Sequence, residues 1–217
     1  LRIGLPTGLQ SDMYTIRNML IQSCINSFGT STMAAWTAFC KLDAFYWMIS
    51  GAFGISITTF VGQNFGAQRY DRVRKSVRVC LLLSLVTALL VSGLYALGAQ
   101  PLLRMFSTDT QVIEIGTFIL WRMSPFYFTF ICVEVMAGAI RGTGDSLKPM
   151  LLTCGGVCVL RVVWIFTVLP LDRTLGTLLL SYPMTWSITS LLFIIYYVRG
   201  NWMRRQIQKY GFSEEHL

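Results

Sequence analysis

The sequence predicts an all-α integral membrane protein of six transmembrane helices. Two observations carry that prediction. Of 217 residues, 54% are hydrophobic and 13% are charged, roughly half the ~25% charged share of a soluble domain. The few charges also leave long gaps: no Asp, Glu, Lys or Arg occurs between Arg17 and Lys41, Asp43 and Arg69, Arg78 and Arg104, or Arg173 and Arg199. A mean hydropathy of +0.57 argues against a soluble enzyme, a disordered tail or a coiled coil.

A helix needs about 20 apolar residues to cross a ~30 Å hydrocarbon core. Six segments satisfy this, at roughly Pro6–Ser27, Ala34–Val61, Ser76–Ala99, Val112–Gly138, Met150–Leu169 and Leu175–Val198. Their apolar residues do not alternate with polar ones, which disfavours a barrel. The spans divide the chain into a six-helix unit, residues 1–198, and a basic tail, residues 199–217. No cleavable signal peptide is visible. The chain opens on Leu1, not Met, which gives the expectation of a fragment.

Basic residues set the orientation. Arg69, Arg72, Arg74, Lys75 and Arg78 follow the second span, Arg141 and Lys148 follow the fourth, and Arg199, Arg204, Arg205 and Lys209 follow the sixth. Arg2 precedes the first span, and the intervening loops carry only Arg104 and Arg173. The positive-inside rule puts both termini in the cytoplasm. A net charge of +8 is thereby explained by topology and contact with the lipid bilayer. No basic stripe with interleaved aromatics points to nucleic acid. The six cysteines form no CxxC pair, and the sole histidine is His216. A disulfide framework and a His-based metal or catalytic centre are therefore not expected, and no metal site is assigned. Without an HExxH, a GxSxG or a paired acid motif, no enzymatic activity is expected.

Polar groups inside the spans are the functional candidates. Ser11, Thr15, Asn18, Gln22 and Asn26 share one helical face. Lipid cannot satisfy amides, so this face serves helix–helix hydrogen bonding or walls a polar cavity. Asp12 and Arg17 lie about 140° apart around the helix, too far round for a direct pair. Lys41 and Asp43, two residues apart, point in nearly opposite directions. Each needs a partner or water, because a charge at mid-membrane costs about 2.5–3.5 kcal/mol. In the fourth span Pro125 predicts a kink, and Ser124, Tyr127, Ile131 and Glu134 share a face. Glu134 is a candidate proton or sodium carrier, or the partner of Arg141. Arg161, in the middle of the fifth span, is a partner for a carboxylate or part of an anion-attracting cavity. Tyr182, Trp186, Thr189, Phe193 and Tyr196 make an aromatic face on the sixth, for packing or for cation–π contacts.

Two motifs lie on the cytoplasmic side. Val61-Gly62-Gln63-Asn64-Phe65-Gly66-Ala67 ends the second span, and Glu134-Val135-Met136-Ala137-Gly138-Ala139-Ile140-Arg141-Gly142-Thr143-Gly144-Asp145 ends the fourth. Their glycines permit tight turns and close helix approach, and Asn64 and Asp145 can cap backbone donors. Together with the opening Leu1-Arg2-Ile3-Gly4-Leu5-Pro6, these motifs resemble the C-terminal half of a multidrug and toxic compound extrusion (MATE) transporter. The likeness covers nearly the whole chain.

The resemblance implies a 12-helix protein of two lobes around a central cavity, in a bacterial plasma (inner) membrane. It implies an N-terminal six-helix lobe as partner, no cofactor, and H+ or Na+ as coupling ion for antiport of drugs or other small, cationic organic compounds. In the family, acidic residues on the first and fourth helices of this lobe help bind the ion; Asp12 and Glu134 lie on those helices. Asn18, Gln22, Asn26, Lys41, Asp43, Tyr127 and Arg161 are then expected to line the cavity. Gly62, Gln63, Asn64, Gly66, Arg141, Gly142, Gly144 and Asp145 are expected at the moving cytoplasmic gate. Arg17, Arg122 and Arg161 also fit a related flippase of lipid-linked oligosaccharides, whose substrate is anionic. A half-size membrane subunit that does not transport is a third alternative.

Overall fold

A computed structural model describes residues 4–212, with side chains from residue 8 onward. Arg2, His216 and the side chains of the opening Leu1–Pro6 motif lie outside the described residues. The described chain is helical, with no strand. Its order is α1 (Gly4–Asn26), α2 (Thr30–Gly66), α3 (Tyr70–Arg104), α4 (Thr110–Met123), a 3-10 turn (Ser124–Phe130) and α5 (Ile131–Gly142). Then follow α6 (Leu147–Thr153), a π-helical segment (Cys154–Val159), α7 (Leu160–Thr167), α8 (Leu175–Arg199) and α9 (Trp202–Tyr210).

Five continuous helical stretches are long and apolar enough to cross a membrane: 30–66, 70–104, 110–142, 147–167 and 175–199. The chain is thus a multi-pass membrane protein. Helix α1 has the length but is not among the five; Gln10, Asp12, Arg17, Asn18, Gln22 and Asn26 make it the most polar of the long helices. The second and third helices outrun their expected spans. At 1.5 Å per residue, the 37 residues of α2 and the 35 of α3 run about 50–55 Å, well beyond the hydrocarbon thickness. The expected loop after the second span therefore shrinks to Ala67–Arg69. Gly62–Gly66 remain in α2, and Arg72, Arg74, Lys75 and Arg78 belong to α3.

Local chemistry sets the breaks. Gly29 takes φ +102° between α1 and α2, and Gln68 takes φ +56° between α2 and α3. The Asp109 carboxylate accepts from the Gln111 N–H at 2.8 Å and starts α4; Thr174 starts α8 by accepting from Thr177 N–H at 3.2 Å. Pro125 stands in the first turn of the 3-10 segment, where its missing N–H costs least. The kink expected there is a seven-residue change of helix type.

The centre of the lobe is the crossing of α2 and α5, packed also by α3, α4 and α8; α1, α6 and α7 form a second layer. Small residues let the crossing helices touch backbone to backbone. A Cβ on Gly138 would lie 2.6 Å from Ile57 Cγ2 and 2.8 Å from the Gly54 carbonyl oxygen. One on Gly142 would lie 2.6 Å from the Thr58 carbonyl oxygen, and one on Gly62 3.3 Å from that of Gly142. The Thr58 hydroxyl is placed between the carbonyls of Gly54 (2.7 Å) and Gly138 (3.0 Å). The two sequence motifs thus meet through Gly62 and Gly142.

The basic tail is folded onto this end of the lobe. Helix α9 buries Trp202, Met203, Gln206 and Ile207. Gln206 donates to Asp145 at 3.3 Å, and Tyr210 packs edge-on to Phe65 with ring centres 6.3 Å apart.

A methyl group at the crossing has nowhere to go, whereas Gly51 of α2 faces open space. Gly138→Ala is predicted to destabilise the protein by about 1–3 kcal/mol, and Gly51→Ala to be neutral or stabilising by up to about 1 kcal/mol. Thermal unfolding of the purified full-length protein in detergent checks both. Equal midpoints for the two variants would remove the crossing from its central role.

Candidate functional site

A cavity of about 470 Å³ opens between α1, α2, α5, α7 and α8. The helical repeat explains its lining. Tyr14, Arg17, Asn18, Ile21 and Gln22 come from one stripe of α1, and Trp36, Phe39, Cys40, Asp43 and Trp47 from one stripe of α2. Phe130 and Glu134 come from the fourth span, Arg161 from α7, and Tyr182 and Trp186 from α8. Spacings of three and four residues put each set on one face. Seven of the fifteen lining residues are aromatic, so the chamber suits a flat or apolar body with polar groups attached.

Asp43 is held from two sides. Its Oδ1 accepts from the Tyr127 hydroxyl at 2.5 Å and its Oδ2 from Trp47 Nε1 at 2.6 Å. Tyr127 is 0% exposed and stacks on Tyr46, ring centres 3.9 Å apart. The Tyr46 hydroxyl donates to the Tyr127 carbonyl at 3.0 Å, and the Tyr95 hydroxyl to the Leu42 carbonyl at 2.6 Å. Tyr127, held in turn by Tyr46, therefore braces the carboxylate from behind, and Asp43 lines the cavity from the other side.

Glu134 stands at a junction. It lines the central cavity and also a cleft of about 260 Å³ formed with Gly54, Ile55, Thr58, Thr59 and Arg141. Its Oε1 lies 3.7 Å from Arg141 Nη2, an ion pair longer than a hydrogen bond. The carboxylate rests over Gly54, where any side chain would overlap it.

The structure brings together Asn18, Gln22, Asp43, Glu134 and Arg161. It leaves four candidates outside. Asp12 is exposed on α1 and does not line the cavity. Asn26 lies beyond the stripe, at the last residue of α1, where it accepts from Gln22 at 2.9 Å. Lys41 is exposed on the far face of α2 from Asp43, as a two-residue separation requires. Tyr127 is behind Asp43, not beside Glu134. A 3-10 turn advances about 120° per residue against about 100° in an α-helix, so the three or four such steps that follow Tyr127 before α5 begins turn the Tyr127 and Glu134 faces apart by about 60–80°.

The expected gate residues also separate. Gly62, Gly142 and Arg141 meet at the α2–α5 crossing as described. Gly66 faces open space, and Gln63 is exposed. Asn64 caps no donor: still inside α2, its amide donates to the Phe60 carbonyl at 2.8 Å. Asp145 does cap, accepting from Lys148 N–H at 3.3 Å, and pairs with Lys148 Nζ at 3.2 Å. Gly144 has φ +89°, a conformation glycine adopts freely. Sequence reasoning missed the aromatic walls Trp36, Phe39, Trp47 and Phe130. The signal was present, since Trp36, Cys40, Asp43 and Trp47 recur at helical spacing. Asp43 and Glu134 are the carboxylates on the cavity wall. Among the described residues no group of three or more His, Cys, Asp or Glu gathers to hold a metal ion.

Comparison with known proteins names the class. The MatE family model matches residues 6–167, well over half of the chain, and the chain belongs to that family. It is similar to the probable multidrug resistance protein NorM of Thermotoga maritima, 26% identical over 209 residues covering 95% of this chain and 45% of that protein. It is also similar to an FAD transporter of Shewanella oneidensis, 26% identical over 183 residues covering 84% of this chain and 40% of that one. Among solved structures, the bent form of the Vibrio cholerae MATE transporter VcmN superposes with a TM-score of 0.83 at 18% identity, over 98% of this chain and 47% of that one. That likeness concerns the fold. The chain spans less than half the length of the curated relatives it matches.

The Asp43–Tyr127 bond predicts measurable coupling. Tyr127→Phe should cost about 1.5–3 kcal/mol, the range for a hydrogen bond to a charged group. It should cost far less once Asp43 is Asn. A double-mutant cycle on unfolding giving under about 0.5 kcal/mol of coupling would show that the bond contributes nothing.

Proposed function

We propose that this chain is the C-terminal lobe of a secondary transporter that exports organic compounds by alternating access, driven by H+ or Na+. The observation that carries this reading is the aromatic cavity holding two carboxylates, walled in part by α1. The α1 residues Ser11, Thr15, Asn18, Gln22 and Asn26 are exposed from this lobe. Amides and hydroxyls cannot be left facing lipid, so an opposing six-helix lobe supplies the other wall. The relatives named for multidrug resistance support the class, and their greater length leaves room for such a lobe.

Within this reading Asp43 and Glu134 are the coupling carboxylates, Asp43 facing the substrate and Glu134 linking the cavity to the α2–α5 crossing. Asp12 has no part in it. The crossing, with Arg141 and the α9 clamp, belongs to the cytoplasmic gate. The membrane is a bacterial inner membrane, and both termini lie in the cytoplasm. No enzymatic step and no cofactor enter.

Export of a fluorescent dye from cells or inverted vesicles carrying the full-length protein tests this. Asp43→Asn and Glu134→Gln should each lower gradient-driven export at least about tenfold with membrane expression intact, and Asp12→Asn should leave it unchanged. Export by both carboxylate variants at the normal rate, across several pH and sodium values, would remove them from coupling.

Orientation has its own test, in a full-length variant stripped of its native cysteines, the six of this chain included. A membrane-impermeant maleimide should label Thr108→Cys in intact cells and Ala67→Cys only after permeabilisation. The opposite pattern would invert the topology.

A further inference from the structure

Two guanidiniums sit on the cavity wall, and no carboxylate answers either of them. Among the described residues no Asp or Glu oxygen lies within 4.0 Å of Arg17 or Arg161. Arg161 is 0% exposed. Its Nη2 donates to Thr185 Oγ1 at 2.7 Å, and its Cζ lies 3.8 Å from the centre of the Tyr182 ring. Its Nε and Nη1 have no hydrogen-bond partner. A buried ionised group with unpaired donors is costly, and such exceptions call for an explanation. Arg17 donates only to the neutral Asn18 amide, at 2.7 and 3.2 Å, and lies 4.8 Å from the Tyr14 ring centre.

The carboxylates of the same chamber are, by contrast, engaged: Asp43 by Tyr127 and Trp47, Glu134 by Arg141. The hydrogen-bonding capacity left unanswered on the wall is therefore that of donors, Arg161 Nε and Nη1, and it lies where α7 packs against α1 and α8. Arg122, the third arginine singled out in the sequence, is exposed and not on this wall.

We propose that this corner binds an oxyanion, a carboxylate or phosphate, carried by the transported compound. Trp36, Phe39 and Trp186 hold the compound's apolar or aromatic body. Arg17 meets the anion first. Arg161 completes the fork when the half-buried Tyr182 ring, which lies across it, turns aside. The inference rests on the transport reading above and names its substrate class as amphipathic compounds with an anionic group, in place of the organic cations expected from the resemblance.

A charge-matched ligand set tests it on the full-length protein in phosphatidylcholine nanodiscs, with empty nanodiscs as blank. Pyrenebutyrate, pyrenebutanol and pyrenebutyltrimethylammonium share one ring system, and Trp36, Trp47 and Trp186 report binding by energy transfer. The expected result is pyrenebutyrate bound at least about tenfold more tightly than the alcohol, as charge-assisted bonds provide. Arg17→Gln and Arg161→Gln should each cut that preference about fivefold or more and leave the alcohol's Kd within about twofold. If Arg161→Gln loses alcohol binding as well, its fold has failed and Arg17→Gln decides alone. Equal or tighter binding of the alcohol or the cation, or a preference untouched by Arg17→Gln, overturns the proposal.

Competition identifies the source of the anion. Displacement by phenyl phosphate points to a soluble substrate, displacement by lysophosphatidate alone to a lipid, and displacement by neither overturns the subsite. Dye export is read separately. Charge-blind binding with intact export removes only the anion subsite, and anion-selective binding without export removes only the transport reading.

Discussion

Everything in this lobe is referred to one close contact, the crossing of α2 and α5. Gly54, Gly62, Gly138 and Gly142 leave the two backbones in touch, and the Thr58 hydroxyl sits between a carbonyl from each helix. In a membrane there is no hydrophobic drive between helices, so close packing and interhelical polar bonds carry the association. The crossing does more than hold. It seats the Glu134 carboxylate over Gly54 and brings Arg141 to the same cleft. A glycine chosen for packing thus makes the space in which a charge is kept inside the membrane.

The second constraint is the change of helix type after Pro125. Had the fourth span stayed α-helical, Tyr127 and Glu134 would share a face and both would look into the cavity. The 3-10 turn rotates them apart, sending Tyr127 behind Asp43 and leaving Phe130 and Glu134 on the cavity wall. Proline chemistry at one residue therefore decides which polar groups are braces and which are exposed to a ligand. The π-helical segment Cys154–Val159 does related service in the fifth span. Gly156 there lets α8 approach so closely that a side chain would overlap the Thr189 hydroxyl, and the segment hands over to α7 with Arg161 turned to Thr185.

This shows what was legible in the sequence and what was not. The charge gaps marked the spans because hydrocarbon excludes charge over a fixed thickness. They could not mark where helices stop, because α2 and α3 continue past the bilayer into water and the basic residues near Arg72 are as helical as the apolar ones. Opposite placement of Lys41 and Asp43 followed from helix geometry alone. The misplacement of Tyr127 followed from applying that same geometry across a turn that does not obey it. Asn64 is a cap only if the helix ends before it; with α2 continuing to Gly66, its amide bonds its own helix. The cavity's aromatic stripe was periodic and could have been found. Which residues of different helices meet in it is a matter of tertiary packing that periodicity does not hold.

The cavity's charges also constrain any account of what fills it. A site shaped only for cations would keep its carboxylates free and exclude guanidiniums from its wall. Here the carboxylates already have donors, and the guanidiniums have an amide, a hydroxyl and aromatic rings. Aromatic faces soften the cost of a buried cation, yet they supply no acceptor for the N–H groups that point past them. Those donors need oxygen from somewhere. In the transport reading proposed above, water, an opposing lobe or the cargo supplies it, and only the cargo comes and goes with each cycle. Under the proposed transport reading, a wall that the cargo completes in one conformation and not in the other binds it with different affinity in the two. That difference is what alternating access requires to turn binding into movement.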